Sequence, residues 1–593
     1  MVFEEKDPTK LLDAFAHNFA VLKSMTVCQP FFSNMEDFIR EVNAIHKVAF
    51  KIGDVMMKIH DIRMTVQSAH ITPEACLGQA EDKDIHTMFR FFCETAGKLR
   101  LRRTKAGAIY APVIIGDGKF THCYEYISDV EDWIWSCVTP ELAHPLEWSK
   151  LIGKTGLDTR IISLLKITPD PTFPWLEKQK NLFSCDDGVF DILECEFYYY
   201  DVTKKKNINL LPQGFVTSNY IPGKFNRAWL PSASHKKECK RVKKERDKLR
   251  EEYIDNGGIL PMNPEEKWYL PPEAQRLVNI VKRMHIYEIF RPQDYDDNEL
   301  FKCLACLGRA LHTVKTDKFE IIPFFRGPGG TGKSTLLNLL MAMLDPVEVG
   351  FLMGDGQVTF TDEHLINARL VVFMDVEKSN IIRTRLTSYA SGETVLINRK
   401  HKTPISKMWD APIVMASNGQ PPWEDQSGNL VRRFVIWLFQ KAVIKADTNL
   451  PDKCKSQLLE FLVVISLMYR LLREMVGKQS IWEKDADGFP FLPKCVLEAK
   501  KAYLVSCNAC AGFFEGCPEV HTKIDDSSIT KHNTVPMKDL NNKVMKFQQS
   551  KGVKNPRALD PIEDLPMLTV YGVEITGTGG MRQKTATGIV IDM

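Results

Sequence analysis

One short stretch constrains this 593-residue chain more than anything else in it: Gly327, Pro328, Gly329, Gly330, Thr331, Gly332, Lys333 and Ser334 make a complete phosphate-binding loop. The apolar run Phe319 to Phe325 before it reads as a buried strand, and the leucine-rich stretch Thr335 to Leu344 after it reads as a helix. A strand, a glycine loop and a helix in that order predict an α/β nucleotide-binding core. The glycines let successive backbone N–H groups curl around phosphates, Lys333 can reach the β- and γ-phosphates, and the Ser334 hydroxyl can ligate Mg²⁺. Residues Gly327 through Thr335 are therefore the predicted nucleotide-holding set.

Three further signals follow in order. The run Arg369 to Met374 ends in Asp375, a carboxylate at the C-terminal edge of a sheet, where phosphates and Mg²⁺ gather. Asp375 is the Walker B candidate and, with Ser334, the predicted Mg²⁺ holder. Glu377, two residues on, either polarises the attacking water or supports the metal's water shell. The strand-like run Pro412 to Ser417 ends in Asn418, which reads as a turn former when taken alone. Placed after both Walker elements it reads as a sensor of the γ-phosphate. Arg432 and Arg433 precede another apolar run, Phe434 to Phe439. A guanidinium there can reach a neighbouring subunit's γ-phosphate, which implies a ring.

Between Asp375 and Asn418 the chain predicts a hairpin, with Val395 to Ile397 as one arm, Pro404 and Ile405 beginning the return, and Arg399, Lys400, His401 and Lys402 at the tip. A motor that threads polypeptide needs an aromatic or aliphatic grip at such a tip. Cations suit a nucleic-acid backbone instead.

Composition bounds the rest. The length exceeds one core, and 44% hydrophobic with 26% charged residues is ordinary for globular domains. The longest apolar stretch, Phe461 to Tyr469, is too short to span a bilayer, so no membrane role is expected. The opening Met1-Val-Phe-Glu-Glu-Lys-Asp lacks a secretory signal's basic and apolar regions. An intracellular protein that is not secreted, with its fifteen cysteines reduced, is the expectation. A net charge of +3 leaves any nucleic-acid contact to local basic clusters.

Five segments are expected: an N-terminal helical segment over 1–85, an α+β domain over 86–230, a charged linker or insertion over 231–273, the ATPase core over 274–441, and a mostly helical C-terminal domain over 442–593. The run His235 to Glu252 reads as a solvated helix held by acid–base pairs, with a phosphate-contacting surface as the alternative. In the last segment a helix over Met537 to Lys551, a strand-like Leu568 to Thr576 and another at Thr587 to Ile591 fit a winged helix, with Arg582 and Lys584 on its turn. Cys507, Cys510, Cys517 and His521 have spacing that zinc could use. Tyr503, Leu504, Phe513 and Phe514 beside them make an amphipathic helix, so buried thiols are the preferred reading and no zinc is expected there or at Cys303 and Cys306.

Taken together, the phosphate loop, Asp375, the basic hairpin, Asn418 and the arginine pair resemble the superfamily 3 helicases of DNA viruses. Phe183 to Ile192 and Gly214 to Pro222 resemble the domain before the core in the poxvirus-type primase-helicases. The resemblance implies an AAA+ homo-hexamer that uses ATP and Mg²⁺ to travel 3′ to 5′ on single-stranded DNA and open a replication fork inside a host cell. It also implies partners such as a polymerase or processivity factor. Many relatives place two adjacent acids at Walker B, whereas Met374 precedes Asp375 here. Priming activity is not expected, because the segment before Ile85 is too short and offers no carboxylate pair for two metals. Rival readings are a motor that remodels protein or packages duplex DNA, and a scaffold gated by nucleotide.

Overall fold

The computed structural model describes residues 82–115, 119–137, 157–200, 216–262, 270–352, 363–376, 383–399, 402–421, 429–443, 447–517, 519–522, 529–530, 532–551 and most of 556–591. The chain divides into two compact units, Met1–Phe225 with Met343–Pro346, and Asn226–Ala342 with Val347–Met593.

The first unit is α+β. Its sheet of Arg102–Arg103, Ala108–Ile115 and Lys119–Asp129 is antiparallel throughout, and helices Asp82–Lys98, Val130–Cys137 and Leu157–Ile167 accompany it. A small meander, Leu182–Ser184, Gly188–Asp191 and Glu196–Tyr199, follows. Arg103 is fully buried, donates to the carbonyls of Phe173 at 2.8 Å, Thr168 at 2.6 Å and Leu165, and lies against the Phe173 and Trp175 rings.

The second unit is built on a parallel sheet. Its strands are β1 Ile322–Arg326, β2 Val349–Leu352, β3 Leu370–Met374, β6 Ile413–Ser417 and β7 Phe434–Leu438, in spatial order β7-β1-β6-β3-β2. Inserted in the chain between β3 and β6 is an antiparallel pair, β4 Thr394–Arg399 and β5 Lys402–Met408. Strands β1, β3, β6 and β7 are near-continuous Ile, Val, Phe, Met and Trp runs that bury almost every side chain. That composition belongs to parallel strands covered on both faces rather than to half-exposed alternating ones. Phe324, Phe373, Met415 and Ile436 lie in one core with Tyr389 and Trp409, whose rings stack at 3.8 Å.

Helix α1, Asp297–Arg309, starts at a capping box in which Asp296 accepts from the Glu299 N–H and Glu299 from the Asp296 N–H. Cys303 and Cys306 on it are fully buried. At its end Arg309 pairs with Asp317 at 3.1 Å, both side chains being only 2% exposed, and the Tyr469 hydroxyl donates to the same carboxylate at 2.7 Å.

Helix Ala233–Asp255, the charge-dense run of the sequence, buries no residue. It is laced by Arg241 to Glu238 at 2.6 Å and to Glu245 at 2.8 Å, the solvated-helix pattern. At the C-terminal end, helices Lys494–Cys507, Ala509–Gly516 and Met537–Ser550 pack with two small antiparallel sheets. One pairs Val520–Thr522 with Ile589–Ile591, and the other orders Thr534–Pro536, Thr585–Thr587 and Glu574–Thr576. Among the described residues no helix is long and apolar enough to cross a membrane.

Candidate nucleotide and nucleic-acid site

The loop 327–332 leaves β1 and enters helix α2, Lys333–Met341, at its first residue. Two glycines are required by their surroundings. Gly327 has φ 154°, and a Cβ on it would lie 1.8 Å from the Phe439 carbonyl oxygen. Gly332, with φ 90°, caps α2 where a Cβ would press Ile289 at 2.7 Å. The loop's entry is pinned to the sheet: the Gly327 N–H donates to Ser417 O at 3.2 Å, and the Phe439 N–H to Arg326 O at 2.7 Å.

Lys333 is buried and turned into its own loop. Its ammonium donates to the carbonyls of Gly327 at 2.6 Å and Pro328 at 2.7 Å, to Thr331 Oγ1 at 3.1 Å and to Asn418 Oδ1 at 3.4 Å. The last contact joins the phosphate loop to the end of β6, the neighbour of β1. Asn418 is thus within hydrogen-bond reach of Lys333, which brings together two residues that lie 85 positions apart in the sequence. Ser334 and Thr335 sit in the first turn of α2, Ser334 exposed, where orphan N–H groups and the positive end of the helix dipole favour phosphate.

Asp375 follows β3 directly, exposed and with φ 53°, a left-handed backbone uncommon for a non-glycine residue. The β6–β3 register pairs Ala416 with Met374, so Asn418 and Asp375 leave adjacent strands at the same sheet edge. A metal between loop and Asp375 fits this donor set, since Ser334 offers a hydroxyl and Asp375 a carboxylate at the carboxyl ends of parallel strands. Glu377 lies outside the described residues.

The arginine pair divides sharply. Arg433 is 5% exposed; its guanidinium donates to Asn429 O at 2.6 Å and to Ser391 Oγ, and approaches Glu320 at 3.6 Å. Arg432 is exposed. Close by, the Lys500 ammonium lies over the Trp482 ring at 3.3 Å. Burial, aided by the Arg432 charge, pushes it down to about 7.

In the hairpin, Thr394 faces Met408 and Arg399 faces Lys402, with a register shift between Ile397 and Arg399. Arg399 folds over the turn, donating to Thr403 O at 2.9 and 2.7 Å. Lys400 and His401 lie outside the described residues, as do the side chain of Lys402 and all of Arg582. Cys510 is buried and its sulfur lies 3.3 Å from Gln548 Nε2. Cys507, Cys517 and His521 are half-buried and do not gather with it at metal-ligand distance.

Residues 325–433 match a family of unknown function, DUF5906. No curated protein matches the chain. Among solved structures, the apo A form of the NrS-1 C-terminal region is similar at 14% identity, over 83% of this chain and 96% of that one, with a TM-score of 0.31. Another apo structure of that region gives 14% identity, 86% and 100% coverage and a TM-score of 0.28. The JCV helicase bound to a thiazolopyridinyl-phenoxyphenyl acetamide gives 19% identity, 39% and 60% coverage and a TM-score of 0.20. At these TM-scores the likenesses carry no argument about what this chain does.

Proposed function

We propose that this chain is an ATP-driven DNA helicase of viral replication, active as a homo-hexameric ring on single-stranded and forked DNA. The observation that carries it is the hairpin β4–β5, inserted in the chain of a parallel sheet whose adjacent strands end in Asp375 and Asn418, beside a complete phosphate loop. The candidate ATPase centre and the basic-tipped hairpin are then joined through the chain, because the hairpin is inserted between the two strands that end in Asp375 and Asn418, and a change at the phosphates would reach it by that route.

Lys333 exchanges the carbonyls of Gly327 and Pro328 for phosphate oxygens when nucleotide binds. Breaking its contact with Asn418 frees that amide to orient the attacking water. Mg²⁺, held by Ser334 and Asp375, would neutralise charge developing on the phosphates. Arg432 is the arginine offered to the neighbouring subunit, because Arg433 is already spent on its own fold. Arg399, Lys400, His401 and Lys402 track the DNA backbone, with 3′ to 5′ travel following from the family resemblance. A winged C-terminal domain, a polymerase or processivity-factor partner and a site inside the host cell complete the proposal.

The test is strand displacement on forked DNA with ATPase read in parallel, for wild type, Lys333→Ala and a Lys400→Ala/Lys402→Ala double variant. Wild type should unwind, Lys333→Ala should lose both activities, and the double variant should keep basal ATPase while losing unwinding. Hydrolysis by wild type without strand binding or displacement would sink the helicase reading and leave remodelling or scaffolding.

A further inference from the structure

A cluster of metal-ligating side chains stands at the start of the second unit, in residues the nucleotide site does not use. Ser232 caps helix Ala233–Asp255 by accepting from the His235 N–H at 3.1 Å, which fixes the first turn. His235 and Cys239 are four residues apart and so share one face of that helix. Pro271 and Pro272 open the next helix, Pro272–Val281, and set Glu273 in its first turn against that face.

His235 Nε2 lies 2.7 Å from Glu273 Oε2, and Cys239 Sγ lies 3.4 Å from His235 Nε2; the three donor atoms all fall within 4.8 Å of one another. All three residues are half-buried, sheltered but reachable from solvent. Arg276 grips the Glu273 carboxylate from the other side, its Nη2 donating to Oε1 at 2.7 Å and its Nε to both oxygens at 3.3 Å, while Oε2 also faces His235. That is the placement of a residue that orients a ligating carboxylate from behind.

We propose that His235, Cys239 and Glu273 bind a zinc-class divalent cation, clamping the charged helix 233–255 to helix 272–281. One nitrogen, one thiolate sulfur and one carboxylate oxygen suit zinc, and three protein ligands leave a fourth position for water. The ligands' charges, one thiolate and one carboxylate, cancel the ion's. The plain alternative is a His235–Glu273 ion pair with the thiol as bystander. That pair gives no reason for a cysteine one turn along on the same face, next to the carboxylate. Without metal, burial and then Glu273 raise the thiol above its ordinary value, so it holds its proton; binding a dication expels that proton to solvent. The helix buries no residue, and Arg246 and Arg250 pair with Asp487 at 2.7 and 3.6 Å further along it. A metal clamp near its start would therefore fix its direction.

The experiment uses the full chain stripped with a chelator, titrated with Co²⁺ and then with Zn²⁺. One equivalent of Co²⁺ should bind with a thiolate-to-metal charge-transfer band that Zn²⁺ removes. Cys239→Ser and Glu273→Gln should each lose that band, Arg276→Gln should weaken binding by about 10–100-fold, and Cys507→Ser/Cys510→Ser should behave as wild type. Metal-free unfolding curves check that each variant folds, and a pair of ligand variants guards against one failing to. The proposal is overturned if wild type shows no such band, if Cys239→Ser and Glu273→Gln both keep it, or if the Cys507→Ser/Cys510→Ser chain loses it.

Discussion

Replacing Arg432 and Arg433 one at a time should produce opposite failures. The Arg433 guanidinium makes two charge-assisted hydrogen bonds from a buried position, to Asn429 O at 2.6 Å and to Ser391 Oγ. Each such bond contributes about 1.5–3 kcal/mol. The Glu320 partner is 51% exposed, so its ion pair at 3.6 Å adds little after solvent screening. Arg433→Ala should therefore cost about 3–6 kcal/mol of stability, seen as a lower urea midpoint. Arg432 is exposed, and Arg432→Ala should stay within about 0.5 kcal/mol of wild type. If it completes a neighbour's site, kcat for ATP falls about 10³–10⁵-fold, or about 4–7 kcal/mol of barrier. The decisive assay mixes two inactive proteins. A Lys333→Ala subunit still offers its Arg432 to a neighbour, so adding it to Arg432→Ala subunits should restore part of the ATPase. No recovery in the mixture, or normal kcat for Arg432→Ala alone, would refute the trans assignment; an Arg433→Ala chain as stable as wild type would refute the structural one.

Asp317→Ala should leave Arg309 as a buried charge without its carboxylate and cost about 3–5 kcal/mol in urea unfolding, and wild-type stability would contradict the network seen with Tyr469. Burial, then the Arg369, Arg473 and Arg309 charges, push His312 down to about 3 from an ordinary 6.5. The folded chain then holds fewer protons than the unfolded one below pH 6.5, so this contribution is complete above about 6.5 and shrinks as pH falls toward 3. His312→Gln should accordingly narrow the gap in urea midpoint between pH 7 and pH 5, and an unchanged gap would count against the buried neutral imidazole. Gly327→Ala should abolish nucleotide binding in equilibrium dialysis, because its Cβ would overlap the Phe439 carbonyl; binding at wild-type affinity would show the loop to be looser than drawn.

How much of the fold and site is legible in the sequence tracks how local each signal is. Strands β1, β3, β6 and β7 were legible because burial on both faces demands unbroken apolar runs, and the phosphate loop and Asp375 mark where two of them end. The hairpin was legible in its arms, although its first strand begins one residue before Val395 and ends two after Ile397, and its return begins two residues before Pro404, since Thr394 and Lys402 extend the ladder without an apolar pattern. Edge strand β2 was not, because Val-Gly-Phe-Leu is short, holds a glycine and leaves Phe351 40% exposed, so neither periodicity nor a run announces it. Adjacent arginines look alike in a string of letters; only the turn Val431–Arg433, which sends one side chain under Asn429 and the other outward, tells them apart. The same holds for His235, Cys239 and Glu273. The i, i+4 pair is visible in a charged helix, but its third member is 34 residues beyond Cys239 and meets it only because two prolines start the next helix there. Features set by chain-local chemistry are therefore open to reading from sequence, whereas those set by which side of a turn a side chain takes are a product of packing, and exposed Arg432 beside buried Arg433 is the pair in which that distinction shows most plainly.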